Sequence, residues 1–226
     1  MNSAIEIKIC GLTDPDQAAA CAAAGVDAIG FVFHPSSPRR VTPLHAREMA
    51  SVLPGNVARI GVFVDHAARD IRSIAETAGL TAVQLHGAAA QAAGPELMAA
   101  GLPVIFVLRQ ADTLADDARR LPPGAGVLVE CGRGSLPGGN GVAWEWGRAA
   151  ALAGLRPFAI AGGITPDNVC AALACARASA VDLSSSVESA PGRKDPARVI
   201  RLVAAVRSLK PDWPVRPVFS RKAIPA

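Results

Sequence analysis

The chain has 226 residues, of which 50% are hydrophobic and 19% charged, and a formal net charge of +4. That apolar content over that length is ample for a buried core and excludes a disordered chain. The mild charge argues against a nucleic-acid binder, no run is long enough to span a membrane, and no secretory leader pattern follows Met1.

In chain order, a first strand is predicted over IEIKIC (5–10) and a helix over 15–24. Strand DAIGFVF (27–33) precedes a helix over 43–53, and strand ARIGVFV (58–64) a helix over 67–78. Further strands are TAVQLH (81–86), PVIFVL (103–108), GVLVE (126–130), PFAIA (157–161) and AVDLS (180–184), the last leading to a helix over 195–208. Short β-rich runs alternating with Ala-rich helices predict a parallel sheet with crossover helices. Eight such units in this length predict a single-domain α/β fold, a (β/α)8 TIM barrel over residues 1–208. A dinucleotide fold would place GxGxxG after the first strand, where the chain has CGLTDP. The Gly-rich segment 132–141 reads as a loop between units six and seven, and LPGGNG (136–141), without the Lys-Ser/Thr of a P-loop, as a lid or a packed turn. Residues 209–226 read as a Pro-broken, solvated surface tail, in which Lys210, Arg216, Arg221 and Lys222 face only Asp212.

Five cysteines (Cys10, Cys21, Cys131, Cys170 and Cys175) with no CxxC pair predict reduced thiols and a cytoplasmic location. Four scattered histidines (His34, His45, His66 and His86) lack ligand spacing, so no metal site is expected.

In barrels of this kind function resides at the carboxyl ends of the strands. Strand alternation turns Lys8 and Cys10 inward, with Ile7 and Ile9 toward the helices, and turns Glu130 inward on strand six. Cys10, His86, Glu130, Asp182 and Ser184 thus converge on one rim. Taken alone Cys10 reads as a small buried hydrophobe. At a strand end before Gly11, however, a modestly activated thiol can act as a base near neutrality, and a carboxyl across the mouth supplies the matching acid. Lys8 lies one layer below, and Asp182 is expected to pair with it where strand eight closes on strand one.

Two small-residue clusters, AGGITPDN (161–168) and DLSSSVES (182–189), end the last two strands, where many barrels hold phosphate. Gly162 and Gly163 let amides approach an anion, Thr165 with Pro166 reads as a helix start, and Ser184, Ser185 and Ser186 offer amides and hydroxyls. In HPSSPRRV (34–41), Arg39 after the Pro38 turn suits bidentate binding of a carboxylate, whereas Arg40 reads as a solvated turn residue.

Taken together, KICGLTDPDQA, GFVFHPSSPRRV, VQLHG, LPGGNGVAWEW, AGGITPDNV and VDLSSSVESAPGRKD resemble the phosphoribosylanthranilate isomerase family, in order from about residue 5 to about residue 208. The resemblance implies an Amadori isomerase of tryptophan biosynthesis, acting on a small phosphorylated substrate without cofactor or metal. It implies that Cys10 is the general base and that Glu130 stands where the family's general acid, usually Asp, is found. Arg39 matches the arginine of the anthranilate carboxylate, His86 a histidine near the substrate, and Gly162, Gly163, Ser185 and Ser186 the phosphate positions. Ser186 replaces the glycine of the family's SSGVE. The related histidine-pathway isomerase uses two aspartates, against which Cys10 argues. Two alternatives stay open from the sequence: a noncatalytic sugar-phosphate binding paralogue, and a barrel isomerase of another phosphorylated sugar. Oligomeric state is not legible.

Overall fold

The computed structural model describes residues 4–131 and 144–219. Eight parallel strands close in sequence order: β1 (Glu6–Cys10), β2 (Ala28–Val32), β3 (Ala58–Val64), β4 (Ala82–His86), β5 (Val104–Arg109), β6 (Gly126–Glu130), β7 (Ala159–Ala161) and β8 (Ala180–Leu183). β8 returns to β1 with Lys8 opposite Asp182, which makes the barrel complete. The helices are α1 (Pro15–Ala23), α2 (Pro43–Ser51), α3 (Ala68–Ala78), α4 (Ala88–Ala92), α5 (Gly94–Ala99), α6 (Leu114–Arg120), α7 (Val169–Ala176) and α8 (Pro196–Ser208). A two-stranded antiparallel ribbon, β9 (Glu188–Ala190) and β10 (Arg193–Lys194), lies between β8 and α8. Among the described residues, no helix is long and apolar enough to cross a membrane.

Three helices begin with an oxygen-bearing cap followed by proline: Asp14 accepts from Gln17 N, Thr42 from His45 N, and Asp195 from Ala197 N and Arg198 N. Such caps satisfy otherwise orphaned amides, each contributing about 1 kcal/mol, and Pro supplies no amide to orphan. Elsewhere the helices depart from the expected pattern. Unit four is split between α4 and α5 beside Gly94, where a Cβ would meet the Phe106 ring at 2.3 Å. Between β6 and β7 the described helix is 3-10, over Trp146–Leu152. The expected helix start at Thr165 is a turn instead, because Asn168 Oδ1 accepts from Thr165 N at 2.7 Å, and α7 begins only at Val169.

Alternation along the strands builds two cores. Ile7, Ile9, Phe31, Val127 and Val129 pack between sheet and helices, while Ala28, Ile60, Ile105, Val107 and Leu128 fill the barrel itself. The second core includes Val218 and Phe219 from the C-terminal segment. This corrects the solvated-tail expectation. Trp213, Val215, Val218 and Phe219 are buried, Trp213 Nε1 donates to the Ala178 carbonyl at 3.0 Å, and the amides of Val218 and Phe219 donate to Glu6 Oε2 at 2.6 and 2.8 Å. Glu6 stands at the amino end of β1, so the segment closes the floor of the barrel. Apolar side chains spaced between prolines outweigh the basic character of this stretch. The readings of the 132–141 loop and of 136–141, and of Arg221 and Lys222 in the tail, lie outside the described residues.

Candidate active site

A cavity of about 430 Å³ opens at the carboxyl ends of the strands. The nine residues given catalytic or binding roles from the sequence line it: Cys10, Arg39, His86, Glu130, Gly162, Gly163, Ser184, Ser185 and Ser186. His34, Gln84 and Asp182 line it as well.

Cys10 ends β1 on the inner side of the barrel, with its backbone carbonyl held by Ser184 Oγ at 2.9 Å and Lys194 Nζ at 2.6 Å. Ser184 therefore spends its hydroxyl on β1. Only glycine fits opposite, since a Cβ on Gly30 would meet Cys10 Sγ at 2.7 Å. Burial pushes the thiol above its usual range, with Lys8 opposing. The expected activation is thus incomplete, for a physical reason. Lys8 Nζ lies 2.7 Å from Asp182 Oδ2, as inward parity on neighbouring strands predicts, and its charge is largely committed to that pair. Although burial pulls the lysine down, Asp182 and Cys10 outweigh it and keep Lys8 protonated.

Glu130 is buried at the end of β6, and burial pushes its carboxyl up to about 7 despite the opposing charge of Arg109. Arg109 Nε and His86 Nδ1 stand 3.8 and 3.9 Å from Glu130 Oε1, too far for direct hydrogen bonds. A carboxyl in that range can take up or release a proton near neutral pH. His86 is kept neutral, lowered to about 3 by burial and then by Lys8 and Arg109. Gln84 Nε2 donates to its Nε2 at 2.8 Å, which puts the ring proton on Nδ1, on the Glu130 side.

After β7, Gly162 and Gly163 take φ of +89° and +66°, a conformation that favours glycine. The carbonyls of this turn are tied down: Trp144 Nε1 donates to Ala161 O at 2.8 Å, Trp146 Nε1 to Gly162 O at 3.1 Å and Asn168 Nδ2 to Gly163 O at 3.0 Å. Planarity then directs the amides of residues 162–164 to the opposite side of each peptide. Those residues line the cavity. After β8, Ser185–Val187 form one short 3-10 turn, and Ser185 and Ser186 line the same cavity.

Arg39 reaches the cavity, but Pro38 is not what holds it. Its Nε and Nη2 donate to Glu188 Oε1 and Oε2 at 2.8 and 2.6 Å. Arg40 is exposed, as expected. Glu188, Lys194, Gln84, Arg109, Asn168 and the two tryptophans were not singled out in the sequence. Glu188 and the Trp pair sit inside recognisable motifs, VES and WEW, yet their partners are too distant in the chain to be inferred.

A closed eight-stranded parallel barrel, with a polar cavity at the carboxyl ends that joins a thiol, a neutral-range carboxyl and two glycine- and serine-lined loops, defines a (β/α)8-barrel enzyme. The family described as "PRAI: N-(5'phosphoribosyl)anthranilate (PRA) isomerase" matches residues 7–205. An N-(5'-phosphoribosyl)anthranilate isomerase of Desulfatibacillum aliphaticivorans is 42% identical over 219 residues, covering 96% of this chain and 99% of the relative. The solved phosphoribosyl anthranilate isomerase from Thermus thermophilus is 33% identical with a TM-score of 0.79, covering 91% of this chain and 100% of that one. Another, solved in complex with reduced 1-(o-carboxyphenylamino)-1-deoxyribulose 5-phosphate, is 29% identical with a TM-score of 0.78 and the same coverage. The chain belongs to the N-(5'-phosphoribosyl)anthranilate isomerase family, and its enzyme class is that of the aldose-ketose isomerases.

Proposed function

We propose that the chain catalyses the Amadori rearrangement of N-(5'-phosphoribosyl)anthranilate to 1-(o-carboxyphenylamino)-1-deoxyribulose 5-phosphate in tryptophan biosynthesis, with Cys10 as general base and Glu130 as general acid. The observation that carries this reading is the presence of the Cys10 thiol and a carboxyl of pKa about 7 in one cavity, in a chain of this family. Glu130 donates its proton to the ribose ring oxygen, the C1′–O bond breaks, and the nitrogen lone pair forms the iminium. Cys10 as thiolate then takes the C2′ proton, and the C–H electrons neutralise the iminium to give the enolamine. Tautomerisation places hydrogen on C1′ and leaves the ketone at C2′. C1′ is reduced as C2′ is oxidised, so the reaction is internally balanced and calls for no redox cofactor.

The amides of residues 162–164 and of Ser185 and Ser186 are the phosphate grip in this reading, with Ser184 bracing Cys10 through its hydroxyl. Neutral His86, with its proton on Nδ1, is a hydrogen-bond donor beside Glu130. Arg39 takes the aryl carboxylate. The longer side chain of Glu130 keeps the acid chemistry of the family's Asp, and its raised pKa supports turnover over the noncatalytic alternative.

The test is an isomerase assay on the purified protein with N-(5'-phosphoribosyl)anthranilate, following product by chromatography. Product formation at a saturable rate is the expected result. Saturable binding without product would replace the enzyme by a binding paralogue, and indifference to this compound would redirect the search to another phosphorylated sugar.

A further inference from the structure

The ribbon β9–β10 is no part of the barrel, yet it places Glu188 directly across from Lys194. Both side chains are buried, with 4% and 1% exposure, and each bonds to a residue that lines the cavity, Arg39 or Cys10. Lys194 Nζ donates to Glu188 Oε1 and to the Cys10 carbonyl, each at 2.6 Å. The amide of Gly192, in the ribbon's turn, donates to the same Glu188 oxygen at 3.2 Å. Thr13 Oγ1 donates to the Gly192 carbonyl at 2.9 Å, fastening the turn to the loop after β1. Glu188 is therefore a rigid anchor built from three chain segments.

What it anchors is Arg39. The guanidinium is a planar fork of five N–H donors, and Glu188 occupies the edge formed by Nε and Nη2. The opposite edge, two hydrogens on Nη1 and the second on Nη2, points away from Glu188 by the planarity of the group. The arginine stem crosses Gly11, where φ is +78° and a Cβ would meet Arg39 Cδ at 2.4 Å. Gly11 follows Cys10, so the guanidinium is indexed to the strand that carries the thiol. The cluster sets the Arg39 guanidinium and the Lys194 amine around one carboxylate, with burial lowering the Lys194 pKa against the pull of Glu188. Burial raises the Glu188 carboxyl, but its bonds to Arg39 and Lys194 outweigh burial and keep it ionised.

We propose that Glu188, held by Lys194, is a positioning residue that presents the free edge of Arg39 to the substrate's aryl carboxylate, and thereby sets selection for a carboxylated aryl amine over an uncharged one. The proposal rests on the functional reading above for the identity of that carboxylate. A bidentate, charge-assisted contact depends on orientation as well as on charge. An unanchored arginine would keep the charge and lose the orientation.

The test measures affinity, which does not depend on turnover. Calorimetry compares reduced 1-(o-carboxyphenylamino)-1-deoxyribulose 5-phosphate with its phenylamino counterpart, which lacks the carboxylate, on the parent and on Glu188→Gln. The parent is expected to favour the carboxylated ligand by roughly tenfold or more, the scale of a charged hydrogen bond. Glu188→Gln should erase most of that preference by weakening the carboxylated ligand alone. Equal weakening of both ligands, or an unchanged preference, overturns the proposal. Because glutamine leaves Lys194 without its anion, Glu188→Asp provides a second variant that keeps the charge, and it should show an intermediate preference; equal weakening of both ligands there is again fatal. A parent that discriminates between the ligands yet forms no isomerised product fails the catalytic reading and leaves the positioning role standing.

Discussion

Glu6 and Glu130 are both inward-facing carboxylates at strand ends, 6% and 7% exposed, but they lie at opposite ends of the barrel and are treated differently. At the floor, Glu6 Oε2 accepts two backbone amides at 2.6 and 2.8 Å beneath the buried ring of Phe219. At the mouth, Arg109 and neutral His86 stand 3.8 and 3.9 Å from the Glu130 carboxyl, and burial raises it to about 7. Among the described residues, three further buried polar atoms without hydrogen-bond partners, His34 Nδ1, Gln84 Oε1 and Asp182 Oδ1, also belong to residues lining the cavity. At one end, the Glu6 carboxylate is satisfied by backbone and sealed with apolar side chains, which favours stability. The other keeps hydrogen-bonding capacity in reserve for a ligand, which costs stability and permits chemistry.

The contrast can be broken most directly at Cys10. Cys10→Ala should lower turnover by roughly 10² or more, the scale of a positioned base, while changing unfolding stability by no more than about 1 kcal/mol. Steady-state kinetics and urea unfolding on the same preparation check both halves. Near-parental turnover would return the thiol to the role of core filler.

Glu130→Gln sharpens it. Turnover should again fall by roughly 10², and a limb of the pH profile should vanish. In the parent the acid must be protonated and the thiol ionised, although the thiol is pushed above its usual range. With the base titrating above the acid, kcat/KM should rise about tenfold per pH unit up to a bend near 7 set by Glu130, and then level off. Stability should move the other way. The folded-state pKa of Glu130 lies above its unfolded value, so the parent gains from this group below about 4.5 and loses that gain as pH rises through about 7. Above that, the ionised carboxylate is a net cost, and the glutamine variant should be more stable at pH 8 by roughly 1–3 kcal/mol. A variant no more stable than the parent at pH 8 would mean that Glu130 is not strained by burial.

At the floor the effect should fall on stability alone. Phe219→Ala empties part of the inner core and should cost about 3 kcal/mol in urea unfolding, with kcat/KM within about twofold of the parent. A large loss of kcat/KM in the folded variant would show that floor and mouth are coupled.

Much of the mouth was legible because its logic is local. Alternation turns Lys8 and Cys10 inward together wherever β1 lies, and barrel closure brings Lys8 opposite Asp182 once eight units are counted. The helices predicted from 15 and from 43 begin where α1 and α2 do, because a cap and its proline are adjacent in the chain. The two loops with small residues were placed correctly because β7 and β8 end where their apolar runs end. Asn168 was less tractable. Thr165 and Pro166 make a proper cap pattern, and only the competing side-chain bond to Thr165 N delays the helix.

By itself, then, the sequence determined the eight strands, their inward parity and the rim on which Cys10, Glu130 and the two small-residue loops meet, since each follows from spacing within a few residues. Only the tertiary structure decided that Glu188 rather than Pro38 holds Arg39 across 149 positions, that Trp144 and Trp146 set the turn after β7, and that Trp213 to Phe219 seal the floor. Those contacts join segments with no shared periodicity. Their partners are chosen by how the closed barrel distributes space and unsatisfied hydrogen bonds, a property of the packed chain that no local window contains.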